Sequence, residues 1–169
     1  MLSKISAGAV LALFASLAFA HDGHDHDRNK GRDKPPPLAI LQLDIARDAA
    51  ARFADPADAV KAGYVDIGVF MPQMGWHYLN VQLKDDGKFD PAKPELLVYA
   101  DDPCGGGKRR LVAVEYAVPL NMSKKAPAGF IGRADEWDPN QDFGIWTLHA
   151  WVYEFNPDGV FAPFNPRVP

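Results

Sequence analysis

Around Gly63 the spacing of apolar residues changes from one repeat to another, and that change limits the folds open to this chain. Before it, Ile45, Ala49, Arg52 and Phe53 fall at helical spacing, with alanine, the best helix former, filling the gaps. Asp55-Pro56 reads as an N-cap followed by proline at the first helical position, and Gly63 as a helix stop. These signals predict helices over about 42–54 and 56–63. After Tyr64 the runs become short, β-branched and aromatic: Val65 to Met71, His77 to Leu83, Leu96 to Ala100, Leu111 to Val118 and Trp146 to Phe155. Turn-forming stretches such as Asp85-Asp86-Gly87 and Asn156-Pro157-Asp158-Gly159 separate them. Helices gathered ahead of strands predict an α+β fold: short N-terminal helices packed on a curved, mainly antiparallel sheet of about five strands. The closing stretch carries Pro163, Pro166 and Pro169, so it reads as an extended tail packed by Phe161 and Phe164.

The first twenty residues read as a secretion signal. Lys4 supplies a positive start, Ile5 to Ala20 is apolar or small, and Ala18-Phe19-Ala20 has the small-x-small form that signal peptidase cuts. The apolar run is short for a membrane span, so no span is expected after cleavage, and the location expected is periplasmic or secreted. Residues 21–37 are polar and close with Pro35-Pro36-Pro37; they are expected to form a disordered His/Asp-rich tail and a stiff spacer. A single globular domain is expected over 38–169. Without Lys4, 17 of the 18 basic residues remain against 22 acidic ones, a formal net charge of −5. That balance argues against nucleic acid as a partner. Lys108-Arg109-Arg110 reads as a solvated hairpin loop. Cys104 stands alone and cannot form an internal disulfide, so packing alone must hold the domain.

The five histidines fall in two places. His21, His24 and His26 follow the predicted cleavage site, interleaved with Asp22, Asp25 and Asp27, and make a weak tail site for Cu(II) or Ni(II). His77 and His149 lie in aromatic-rich strand patterns. Side chains alternate along a strand, so parity sorts them into faces. Glu115 shares a face with Leu111, Ala113 and Ala117, small neighbours that leave room above the sheet. His149 shares one with Thr147, Trp151 and Tyr153, and His77 with Leu79, Val81 and Leu83. Two imidazoles and a carboxylate can hold a divalent transition metal such as Cu, Zn or Ni. The same three can move protons without a metal. Trp76, Tyr78 and Trp151 are expected to surround them as an aromatic wall.

Other chemistries find no footing. The glycines before Lys108 lack phosphate-loop spacing. Asp138 to Gly144 begins like a calcium loop, but its glycine comes one place late and His149 stands where the closing glutamate belongs, so it reads as a turn-rich loop. Ser123 is the only serine after the leader, and no serine-nucleophile elbow is present.

Met74-Gly75-Trp76-His77-Tyr78-Leu79-Asn80, Leu111-Val112-Ala113-Val114-Glu115-Tyr116, Leu148-His149-Ala150-Trp151 and Asn156-Pro157-Asp158-Gly159-Val160-Phe161-Ala162 carry a resemblance. With Gly63-Tyr64 ahead of them, they resemble a family of small exported bacterial proteins of uncharacterised function, over about residues 45–168. The resemblance implies a secreted single-domain protein and brings no activity with it. This chain departs in reading Asn80-Val81 where Asn-Pro is expected, and its His-rich tail is outside the pattern. The function expected from the residues is a periplasmic binding protein for a small ligand or a transition metal. Two alternatives stand beside it: a small lyase, isomerase or hydrolase using the same trio, and an envelope interaction protein without a pocket.

Overall fold

A computed structural model of the chain describes residues 35–103, 106–132 and 134–169. The tail histidines His21, His24 and His26, and Cys104, lie outside the described residues. The architecture is the α+β fold the periodicity predicts: short helices packed on a curved antiparallel sheet. The helices are α1 (Pro37–Ala50), α2 (Pro56–Lys61) and α3 (Val81–Lys84), with one 3-10 turn at Ala51–Phe53. The strands are β1 (Val65–Met71), β2 (Gly75–Leu79), β3 (Leu96–Asp101), β4 (Arg109–Pro119), β5 (Asp138–Asn140) and β6 (Ile145–Ala150). Their order across the sheet is β1-β2-β3-β4-β6-β5, every neighbouring pair antiparallel. Among the described residues, no helix is long and apolar enough to cross a membrane.

Several boundaries differ from the sequence reading, each for a local reason. Helix α1 begins at Pro37, ahead of the expected residue 42, because proline's fixed φ suits the first helical turn. Its buried face is Ala39, Leu43, Ala46 and Ala50, so Ile45 points outward. That face joins the larger core. The expected strand His77 to Leu83 stops at Leu79, because the Asn80 side chain accepts from the amides of Gln82 and Leu83 and starts α3. The expected strand Trp146 to Phe155 ends at Ala150. The stretch read as a turn-rich loop supplies a sixth strand at Asp138–Asn140, which pairs with the start of β6. Nor is Lys108-Arg109-Arg110 simply a solvated loop. Arg109 and Arg110 open β4, and they reach Asp66 at 2.6 Å and Glu154 at 2.7 Å.

The larger core lies between the helices and one face of the sheet. It joins Leu43, Phe53 and Tyr64 to Leu97, Tyr99, Val114, Tyr116, Leu148 and Phe161. Its buried tyrosines satisfy their hydroxyls on backbone carbonyls: Tyr64 on Pro94 at 2.7 Å, Tyr99 on Phe53 at 2.7 Å and Tyr116 on Pro91 at 3.0 Å. A smaller cluster on the other face holds Val98, Ala100, Val112, Ala113, Trp151 and Val168. Between Val98 and Tyr99 the β3–β4 register slips, so Val112 is an extra residue in β4. Leu111 is thereby turned into the larger core, away from the face it shares with Glu115 by simple parity.

Gly75 opens β2 at φ 118°, and a Cβ there lies 2.3 Å from the Tyr99 carbonyl oxygen. Gly75→Ala is therefore expected to cost at least about 3 kcal/mol, from the strained φ together with displacement of β3 backbone. Urea unfolding of the variant measures it; a loss below about 1 kcal/mol means the strands part more easily than this packing implies.

Candidate metal centre

His77, Glu115 and His149 come together on the face of the sheet that carries the smaller cluster. Glu115 and His149 are direct cross-strand partners on β4 and β6. His77 sits on β2 in register with Val98, and Val98 with Ala113. Strands β2 and β6 are separated by β3 and β4, so a flat sheet puts the two histidine backbones at least ~14 Å apart. Their ring centroids are only 6.4 Å apart. Curvature toward this face closes the gap, and the short side chains of Ala113 and Ala117 leave space for the carboxyl between the rings.

The orientation of His77 is set by a device in β1. Asp66 pairs with Tyr78 and Phe70 with Trp76, so the three residues Ile67, Gly68 and Val69 arch opposite the single residue His77. Gly68 takes φ 69°, and its amide donates to Asp66 Oδ1 at 2.8 Å. The arch brings the Val69 carbonyl to His77 Nδ1 at 3.3 Å. A carbonyl only accepts, so Nδ1 carries the proton and Nε2 presents its lone pair. That is the tautomer in which a histidine ligates through Nε2 while its other nitrogen is anchored.

His77 Nε2 lies 3.6 Å from Glu115 Oε2, and His149 Nε2 lies 3.8 Å from Glu115 Oε1. One donor atom from each of the three residues falls within 4.8 Å of the others. Two ligands bound to one ion at about 2.1 Å in tetrahedral geometry are roughly 3.4 Å apart, so the cluster is close to the spacing an ion needs. The side chains are enclosed, with His77, Glu115 and His149 only 5%, 5% and 6% exposed. Glu115 Oε2 and His149 Nε2 have no hydrogen-bond partner among the described residues. Each such atom costs about 1–3 kcal/mol when left unpaired.

Burial also sets the charge. It pushes the Glu115 carboxyl up to about 8 and the His149 imidazole down to about 3, with His77 adding to the latter. The His77 imidazole is likewise lowered by burial, opposed by hydrogen bonds to the backbone at Val69 and Gly75. At neutral pH the trio is thus largely uncharged, two neutral imidazoles beside a protonated acid. Neutral imidazole is the form that binds metal. With Glu115 giving up its proton to a cation, the donor set, two nitrogens and one carboxylate oxygen, suits a divalent ion such as Zn, Cu or Ni. It does not meet the six or more oxygens sought by calcium.

The three expected aromatic neighbours divide. Trp151 lies beside the site, its ring stacked on His149 at 6.1 Å and 14°. Trp76 and Tyr78 flank His77 in β2 and so point to the other face. Trp76 packs on Phe70 and donates to Asp101, while Tyr78 packs on Tyr99 and accepts from Arg109. They brace the sheet and do not line the site. Tyr153, expected on the His149 face, follows the end of β6 and packs against the larger core. An open depression of about 680 Å³, lined by residues 126–132 and 135–137, contains none of the trio.

One buried acid was not anticipated. Glu95, just before β3, is 2% exposed, and its Oε2 accepts the Ala117 amide at 3.0 Å. Its only sequence signal is a charged residue placed directly before the apolar run Leu96 to Ala100. No family model, curated protein or solved structure matches this chain, so the chemistry of the trio rests on its own geometry.

Proposed function

We propose that this protein is exported and binds a transition metal ion through His77, Glu115 and His149, as a periplasmic binding protein. One observation carries the reading: three donor atoms from three strands meet within 4.8 Å in a buried place, and two of the site's polar atoms there lack a hydrogen-bond partner among the described residues. A purely structural trio is expected to pair those atoms with each other or with backbone. The enclosure favours holding an ion over turning over a substrate, because a molecule larger than an ion meets no open face at the three side chains. The predicted leader and the resemblance to small exported bacterial proteins support the location.

Elemental analysis of protein purified from a periplasmic fraction tests this. About one equivalent of Zn, Cu or Ni is expected per chain, retained when residues 21–34 are deleted and lost in His149→Ala. Metal that leaves with the tail and ignores His149→Ala refutes a site in the folded domain.

A further inference from the structure

A buried site must open before an ion can enter or leave, and residues 162–169 are the element placed to do it. The chain leaves β6 and turns back, with the Trp151 amide donating to the Val160 carbonyl at 2.9 Å. It finishes at the turn between β1 and β2, where Gln73 donates to the Pro169 carbonyl at 3.1 Å and accepts from the Asn165 amide at 2.8 Å. Strands β3 and β4 lie between those two attachments, so residues 162–169 cross the sheet as a strap. Val168 packs with Val98, Ala100, Val112, Ala113 and Trp151. Val98 and Ala113 are the residues in register with His77, so the strap covers the row on which that ligand stands. On the other side, Trp151 lies parallel to the His149 ring and donates its indole N–H to the Ala162 carbonyl at 2.6 Å. The strap therefore touches the surroundings of both imidazoles.

Besides the two bonds to Gln73, the strap is held by Arg167, which pairs with Glu154 at 3.1 Å, and by side-chain amides. Asn165 is wholly buried; it donates to the Phe155 carbonyl at 3.2 Å and accepts from the Arg167 amide at 3.0 Å. The Asn156 side chain donates to the Phe164 carbonyl at 2.8 Å. No sheet pairing holds Phe164 to Pro169. A segment held over the sheet by turn bonds, side-chain contacts and one buried valine, with no strand pairing, can lift without unfolding the sheet beneath it.

We propose that this C-terminal strap gates the metal site, so that the bound ion exchanges only when the segment around Asn165 to Pro169 lifts from Gln73. The inference rests on the reading of the trio as a metal site and adds how that site is regulated: by a slow opening distinct from the ligands. Loosening the strap then speeds both entry and departure of the ion, while affinity changes less than either rate.

The test loads the full chain with one equivalent of Zn²⁺, adds excess chromogenic chelator and follows zinc release. Val168→Ala is expected to release zinc about tenfold faster, since it removes two buried methyl groups from the closed state. Val168→Ile is expected to restore slow release, and deletion of residues 166–169 to accelerate it at least as much as Val168→Ala. Should the deletion fail to fold, the valine pair decides the matter. Release within twofold of the parent rate in a Val168→Ala protein that still binds one zinc overturns the gate and leaves the site standing. A parent chain that retains no zinc overturns the site itself.

Discussion

Zn²⁺ added to the metal-free protein at a hundredfold excess over its Kd is expected to raise Tm by about 10 °C. Binding at that excess stabilises the folded state by about 2.7 kcal/mol, and a domain of this size gains roughly 3–5 °C per kcal/mol. Mg²⁺ at the same concentration is expected to do nothing, since it seeks oxygen donors in octahedral array. His77→Ala and His149→Ala should each shrink the zinc shift to less than about 2 °C. The more telling variant is Glu115→Met. In the metal-free protein it removes a buried acid whose Oε2 has no hydrogen-bond partner among the described residues. Its expected effect on apo stability is therefore neutral to favourable by about 1–2 kcal/mol, while the zinc response disappears. Opposite signs in the two states are the signature of a residue kept for a ligand at some expense to the fold. A structural glutamate behaves otherwise, with stability falling in both states by the same amount. That result, from differential scanning fluorimetry with and without zinc, removes the metal reading.

The contrast between what periodicity reveals and what it conceals follows from the range of the forces involved. Alternation along a strand is local, and it correctly put Glu115 beside Ala113 and Ala117, and His149 beside Thr147. The register then made Glu115 and His149 cross-strand neighbours. Bringing His77 in from two strands further away needs sheet curvature, a collective property that no single strand encodes. Bulges were the other blind spot. Gly68 in the middle of β1 carried a readable hint, because glycine inside a strand pattern marks a bulge, and here the arch it permits orients His77. The extra residue Val112 gave no such hint, so Leu111 fell on the wrong face. Asn80 is a third case. Its capping side chain overrode the β propensity of Val81, a contest between local hydrogen bonds and side-chain packing that composition does not resolve. Trp76 and Tyr78 differ in kind, since strand alternation already separates them from His77.

Stability of the metal-free protein is expected to fall as pH rises from about 6.5 to 8, and Glu95 is a principal cause. Burial pushes its carboxyl up to about 8, and the nearby Asp86 and Asp90 act in the same direction. The Ala117 amide and the residue's own backbone amide oppose the shift without cancelling it. In the unfolded chain the same group titrates near 4.5. Between the two values the folded state holds a proton that the unfolded state has lost, so raising the pH favours unfolding. The contribution is fully present below about pH 4.5 and lost as pH climbs through the folded value. Each pH unit in that window changes stability by at most about 1.4 kcal/mol per carboxyl, a few kcal/mol across the whole range. Glu115 adds to the same slope, and the lowered His149 and His77 oppose it only below about pH 6.5. The difference between parent and Glu95→Gln isolates the one group, because the others cancel. Glutamine can still accept from the Ala117 amide, so near pH 5 the variant should match the parent within about 1 kcal/mol. By pH 8 the variant should be the more stable of the two, and the crossover is the expected observation in urea titrations at pH 5, 6.5 and 8. Two curves that stay parallel across that range mean that Glu95 titrates like an exposed acid, and that the Ala117 contact does not seal it from water.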